Sequence, residues 1–477
     1  MTMRQLAHSR PFTTIIKLAC LCIGISLGGC GGGSKDAATT TTTTTTPSLV
    51  SISVTPANAT ISVGLNQQFT ATGTYSDGSS AAISKDISWS TGGTISTIVQ
   101  TSGLATGKSV GVETITATVG KIVGTTKLTV QAPYVGVSAG GYHSIVLKSN
   151  GTLISSGLNR TGQLGNGTTN DLATFANLGA VNTWTQVSSG EFHSIAIRSD
   201  GSIWGWGFNQ NGQLGDGSFV DKAEPAKIGS ATWIAIAAGK SHTVAVKKDG
   251  TLWAWGRNFF GQLGDGTVID RAVPVQIGTA KNWTTVAAGT NHTIARRDDG
   301  SIWSWGDNSA GQLGIGTVVK ATAPTQIGTA TWVAISAGES HSLAIRADGA
   351  LFAWGNNTKG QIGIPSLFFT LTPAQVGTQT TWASVAAGAN HSLAIKSDGS
   401  LWSWGANDEG QLGLGNNQTQ TSPLQLGDVK TWRAISAGQA HSLATRSDGS
   451  LWVWGRNIEG QLGDSKRTNS NAPSQIP

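Results

Sequence analysis

Cysteine is scarce in this chain: three among 477 residues, all within the first thirty, at Cys20, Cys22 and Cys30. No disulfide framework can staple the remaining residues. Charge is scarce as well. Asp, Glu, Lys and Arg supply 12% of the residues, and the formal charge of +6 includes Arg4, Arg10 and Lys17 near the N-terminus. Setting those three aside leaves 31 minus 3, or 28, basic residues against 25 acidic ones. That balance lacks the electrostatic footprint of a nucleic-acid binder. The apolar stretch "LACLCIGISLGGC" is too short to span a bilayer as a helix. Glycine, by contrast, is abundant at 65 positions, close to twice its usual share. The length exceeds one compact core, so several domains or a repeat array is expected.

The N-terminus carries a targeting signal. Basic Arg4, Arg10 and Lys17 precede the apolar stretch, which ends in Leu27-Gly28-Gly29-Cys30. This ending resembles the lipobox of bacterial lipoproteins. The resemblance implies cleavage after residue 29, a diacylglyceryl group on Cys30 and no other thiol in the mature chain. Gly31 after the Cys resembles the sorting pattern of outer-membrane lipoproteins. Residues 30–48 then form a Gly/Thr-rich tether with nothing to bury.

From Leu49 the pattern becomes period-two alternation: "LVSISVTP", "ATISVG", "QQFTATGTYSDG", "DISWST", "ETITATVG" and "TTKLTV". Short strands with turn residues at this spacing predict a β-sandwich, with Trp89 as its central aromatic. Residues 49–131 resemble the bacterial Ig-like group 2 family, whose members serve as spacers in surface proteins.

Residues 134–477 are repetitive. Gly-x-x-His ends at His143, His193, His242, His292, His341, His391 and His441, in steps of 49 or 50, and GQLG (once GQIG) begins at Gly162, Gly212, Gly261, Gly311, Gly360, Gly410 and Gly460. Seven units with four strand-sized pieces each predict a seven-bladed β-propeller, so the fold class is all-β. In the third unit strand A is 233–239, B is 242–247, C is 251–256 and D is 274–278, with Asp249-Gly250 read as a two-residue hairpin between B and C. Trp253 and Trp255 share one face of the sheet because side chains alternate. Each buried Trp removes about 150 to 250 Å² from water, roughly 4 to 6 kcal/mol gross at about 25 cal/mol per Å². The tryptophans are read as scaffold.

In "AGxxHS", "DGSLWSWG" and "NxxGQLGxGT" the repeats resemble the regulator of chromosome condensation repeat family over about 340 residues. The resemblance implies the seven-bladed fold. It does not carry over the family's exchange activity on a small GTPase, which works through a wedge inserted in one blade. The even repeat steps leave no room for that wedge, and no small GTPase partner is expected.

One His per blade at the same turn lacks the clustering of a metal site. Each is expected to bond backbone at the A–B turn. The Asn two residues after each strand C is expected to make an Asx-type turn. No catalytic residue, metal or cofactor is expected.

Function is therefore sought where the copies differ. In an antiparallel A–D blade, the A–B turn and C–D loop emerge on one face. There blades one to three offer Tyr142, Arg160, Phe192, Phe208, Arg257, Phe259 and Phe260, while blade five writes "GIPSLFFTLTP" with Phe368 and Phe369. Aromatics with Arg are common anchors of a binding surface. The expected function is a surface-anchored binding or adhesion lipoprotein holding an unknown protein or glycan, touching the membrane only through the lipid on Cys30. Two alternatives stand beside it: a carbohydrate-active hydrolase or lyase using Glu191, Asp307, Glu339, Asp408, Glu409 or Glu459, and a purely structural surface protein. Blade one writes "LISSG" where its siblings have "LWxWG", so its seam with blade seven is expected to be the weakest junction.

Overall fold

A computed structural model describes residues 46–476, and every regular element in it is a strand. The leader expected over 1–29, Cys30 and most of the tether lie outside the described residues.

Residues 49–131 form two main sheets and a small third one. One pairs Leu49–Thr55, Thr70–Tyr75 and Ser80–Ile83; the other runs Ala59–Ser62, Ile122–Gln131, Gly111–Val119, Ser88–Thr91. Alternate residues face inward. Trp89 lies in the resulting core with Phe69, Ile115 and Leu128. The third sheet, Asn66–Gln68 with Leu104–Gly107 and Ser96–Ile98, was not anticipated: its strands of three or four residues are too short for alternation to register.

Seven four-stranded antiparallel sheets come next, each contiguous in sequence. Blade three comprises Trp233–Ala238, His242–Lys247, Leu252–Gly256 and Arg271–Gln276. The A strands of successive blades adjoin, so they line the axis and the D strands form the rim. The B–C connection differs from expectation. Lys248, Asp249 and Gly250 make a three-residue loop in which the Lys247 N–H donates to the Thr251 carbonyl and the Gly250 N–H to the Lys247 carbonyl. A type I turn followed by Gly250 at φ +79° matches the strand twist. The Asp249 carboxylate accepts from the Thr251 N–H and hydroxyl.

Blades pack large face to small face. Trp283 and Trp305 of blade four press on Val244, Val246, Leu252, Ala254 and Ile277 of blade three in one buried cluster. The last residue of each strand B lies over the blade's aromatics: Arg198 is 3.7 Å from the Trp204 ring centroid and Lys247 3.3 Å from that of Trp253. One cation per blade is thus held over the aromatic rings, usually shared by two of them, a pairing that adds to their burial.

Blade one lacks the three tryptophans and has Tyr134, Ile154 and Ser156 in their places. Phe175, standing where blades two to seven have Pro, fills the volume against Gly463 that Trp206 fills against Gly165. Strand Ser470–Ile476 is the outer strand of blade seven, so among the described residues no strand is exchanged to close the ring. A cleft of about 650 Å³, lined by Tyr134, Lys148, Phe175 and Lys466 among others, marks the seam.

Candidate functional site

The seven histidines do not do what the sequence suggested. Each is fully buried, and its ring leaves its own blade. His143 Nε2 lies 2.9 Å from Ser194 Oγ of blade two, and the pattern repeats around the ring to His441, 3.0 Å from Ser144 Oγ of blade one. Each hydroxyl donates to the main-chain carbonyl of the preceding blade's GQLG glutamine, as Ser194 does to Gln163 at 3.0 Å. A hydroxyl has one proton, so Nε2–H must be the imidazole donor. Where blades two to seven have a second strand C Trp, its indole N–H donates to the same carbonyl, as Trp206 does at 2.9 Å. Blade one substitutes Ser156. The first glycine of Gly-x-x-His lies under the imidazole, and a Cβ there would collide with the ring and the next blade's backbone. Burial holds these side chains neutral: His143, His193, His242, His341 and His391 are pushed down to about 3, His292 and His441 to about 4. No group of three or more His, Cys, Asp or Glu side chains comes together among the described residues.

The loop asparagines also depart from expectation. Asn258 Oδ1 accepts the N–H of Leu263, five residues on, while Nδ2 donates to the Thr267 carbonyl, nine residues on. The side chain pins the whole C–D loop rather than a two-residue turn.

These buried links present the variable residues on one face. The first residue after each strand C donates its N–H to the carbonyl just before each His: Leu158 to Tyr142, Phe208 to Phe192, Arg257 to Ser241. A–B turns and C–D loops therefore lie side by side. Tyr142 stacks on Phe192 with centroids 5.7 Å apart, and Phe192 meets Phe208 edge-on at 6.5 Å. Arg456 of blade seven stands 5.7 Å from the Tyr142 ring centroid. Arg160, Phe192, Phe208 and Arg257 line one cleft of about 490 Å³, to which Gln163, Glu191 and Lys240 also contribute. Glu191 and Lys240 pair at 3.1 Å.

Not every predicted site residue joins this cleft. Phe259, 61% exposed, packs edge-on against Phe260 at 5.0 Å, and neither lines the cleft. Leu367 tucks into the core between blades five and six, while Phe368 and Phe369 are 81% and 55% exposed. Phe368 belongs to a row missed in the sequence. The fourth and fifth residues after GQLG are exposed apolar pairs in blades two to four: Phe219 and Val220, Val268 and Ile269, Val318 and Val319. Blades six, seven and one place polar residues there. The signal was present in the register, two positions per repeat, but was too sparse to notice within one copy.

Several carboxylates of this face are engaged with cations, while Asp307 accepts from Gln312 Nε2 and Glu339 from Asn390 Nδ2. Glu409 and Glu459 both pair with Arg456, at 3.4 and 2.8 Å, and Asp408 lies 3.9 Å from Lys359. Burial acts to raise the Glu459 carboxyl, but hydrogen bonding and charge from Arg456 hold it below the ordinary carboxylate value.

Comparison with known proteins agrees with this architecture. The model of the bacterial Ig-like domain (group 2) matches residues 49–130. That of the regulator of chromosome condensation (RCC1) repeat matches 150–197 and 200–246, and the RCC1-like domain matches 234–477. Among solved structures, Prp20p of Saccharomyces cerevisiae superposes with a TM-score of 0.63 at 23% identity, covering 69% of this chain and 87% of that one. Human WBSCR16 gives a TM-score of 0.63 at 20% identity, covering 68% and 94%. Such identities speak to the fold alone. A curated relative, Ice-binding protein 1 of Shewanella frigidimarina, is 38% identical over 140 residues, 28% of this chain and 15% of that protein, so the chain spans a minor part of that relative's length. With the RCC1-like domain matched over more than half of its residues, behind a bacterial Ig-like domain, the chain belongs to the family of regulator of chromosome condensation repeat propellers.

Proposed function

We propose that this protein is a surface-exposed binding or adhesion lipoprotein, anchored through Cys30, that holds a protein or glycan on the face formed by its A–B turns and C–D loops. The observation that carries this reading is the convergence of Arg160, Phe192, Phe208 and Arg257, from three blades, in one cleft. Its volume of about 490 Å³ falls in the range of about 300 to 1,000 Å³ usual for ligand sites. The carboxylates nearby are paired with Lys or Arg, which suits a binding surface better than acid–base chemistry. The Ig-like domain fits a spacer between anchor and propeller. A relative whose name records ice binding supports a binding role for chains of this kind, without transferring its ligand.

The test is a screen of the protein against glycans and envelope or host proteins, repeated with the Phe192→Ala/Phe208→Ala variant. Loss of at least about tenfold in affinity is expected if these rings are anchors. A ligand bound equally well by the variant, and lost instead on changing a B–C turn residue such as Asp398→Asn, defeats the proposal.

A further inference from the structure

The cleft has a chemistry more specific than its shape. We infer that it takes an acidic saccharide chain, a polymer of carboxylate-bearing sugars; this rests on the proposed binding role of the loop face and names its ligand class. Three cations, Arg160, Lys240 and Arg257, line it, against the single carboxylate of Glu191. Phe192 and Phe208 supply ring faces on which the C–H side of a pyranose can stack, beside donors that suit its carboxylate.

The second observation is an orphaned donor. Gln163 is fully buried and lines the cleft, and its Nε2 has no hydrogen-bond partner. Three of its counterparts are satisfied by an acceptor on the loop face. Gln312 Nε2 donates to Asp307 at 3.0 Å, Gln361 Nε2 to Asn390 at 3.1 Å and Gln461 Nε2 to Glu459 at 3.1 Å. In blades one and two the residues equivalent to Asp307 are Leu158 and Phe208, which offer no side-chain acceptor, and Gln213 Nε2 of blade two is orphaned as well. A buried amide donor without a partner is costly, and a ligand carboxylate or hydroxyl oxygen in the cleft would complete that of Gln163. This side of the ring thus carries cations and unanswered donors, where blade four supplies its own acid.

The shape favours a polymer over a peptide edge. Glu191 and Lys240 also line the depression at the propeller axis, so the two hollows adjoin at that ion pair and offer room for more than one sugar unit. The cleft is walled by turns and loops, with no strand edge among its lining residues on which a peptide could pair by β-augmentation.

The experiment is calorimetric titration of the full chain with hexasaccharides of polygalacturonate and polymannuronate, with their carboxyl-reduced neutral forms and with hexaglutamate. Binding of at least one uronate probe is expected, weakened about tenfold or more by carboxyl reduction and by Arg160→Ala or Arg257→Ala. Gln163→Glu, which keeps the Oε1 acceptor for the Thr161 N–H but replaces the donor with a charge, should lose binding further, at a melting temperature that confirms folding. Equal affinity for the neutral sugars, tighter binding of hexaglutamate, or no binding of either uronate overturns the acidic-sugar inference. The wider reading survives those results if another ligand is lost with Phe192→Ala/Phe208→Ala, and falls with the inference if uronate binding ignores every cleft variant.

Discussion

Acid should dismantle the propeller through its histidine ring. All seven imidazoles are buried and neutral, held at about 3 or about 4 by burial, against about 6.5 in the unfolded chain. The folded state therefore releases protons that the unfolded state binds, and stability falls as pH drops below 6.5 toward the folded values. At pH 5.5 each unfolded His carries about 0.9 proton, so unfolding should take up about six. At about 1.4 kcal/mol per proton the stability slope is about 9 kcal/mol per pH unit, and the integrated loss from pH 7 to pH 5 is about 13 kcal/mol. That is comparable to the whole stability of an ordinary domain, about 5 to 15 kcal/mol. A protonated ring could find no acceptor at Nδ1, since that atom has no partner in any blade. Urea unfolding followed by Trp fluorescence at pH 7, 6 and 5 gives the slope, and calorimetry in two buffers of different ionisation enthalpy counts the protons. His292→Gln should lower the count by about one. An uptake below two protons at pH 5.5, or a stability flat between pH 7 and 5, refutes the reasoning.

Trp305→Ala should cost about 3 to 5 kcal/mol, because the ring is fully buried between blades three and four and donates to the Gln262 carbonyl; differential scanning calorimetry checks it. Ser342→Ala should cost about 1 to 3 kcal/mol by leaving the buried His292 Nε2–H unpaired and taking one of its two donors from the Gln312 carbonyl, which keeps Trp354 Nε1–H, with ligand affinity unchanged once folding is allowed for. Hydrogen exchange should show the Tyr134–Ala139 strand opening before Trp283–Ala288, since the blade seven to one seam lacks the tryptophans that blade one would contribute; Phe175→Ala should widen that difference while Pro225→Ala should not. Equal protection at the two seams would remove the case for a weak seam. Cys30→Ala should release the protein from the membrane fraction and abolish labelling by a fatty-acid analogue; unchanged fractionation would dispose of the anchor.

The blade count and the four strands of each blade were legible because they depend on spacing, which a sequence displays directly. The inward Trp253 and Trp255 followed from alternation alone. What stayed hidden were contacts between residues about fifty positions apart. The dipeptide His143-Ser144 recurs as His-Ser or His-Thr in every blade, yet its two members serve opposite junctions, the ring reaching forward and the hydroxyl receiving from behind. Nothing local reveals that. Arg160, Phe192, Phe208 and Arg257 could be singled out because they vary between copies. Gln163 could not, since it is spelled identically in all seven, and only its missing partner sets it apart from Gln312, Gln361 and Gln461. Phe175 was visible as a lost Pro, but the Trp volume it restores belongs to another strand.

Because each blade is continuous in sequence and hands its neighbour the same His, hydroxyl and carbonyl link, the covalent break between blades seven and one carries the same polar joint as every peptide-linked junction, whatever its apolar packing lacks. The side chains of His441, Ser144 and Ser156 and the Gln461 carbonyl already do across that break what their counterparts do across a peptide-linked junction. The order of the chain is thus separable from the order of the ring. A circular permutant that joins residue 476 to 134 through a short linker and opens between blades two and three keeps every inter-blade bond, and would relocate the attachment point of the Ig-like domain around the wheel without disturbing the cleft. In such a molecule the angle at which the loop face is presented becomes a matter of where the chain happens to start, a freedom that a propeller locked by strand exchange does not have.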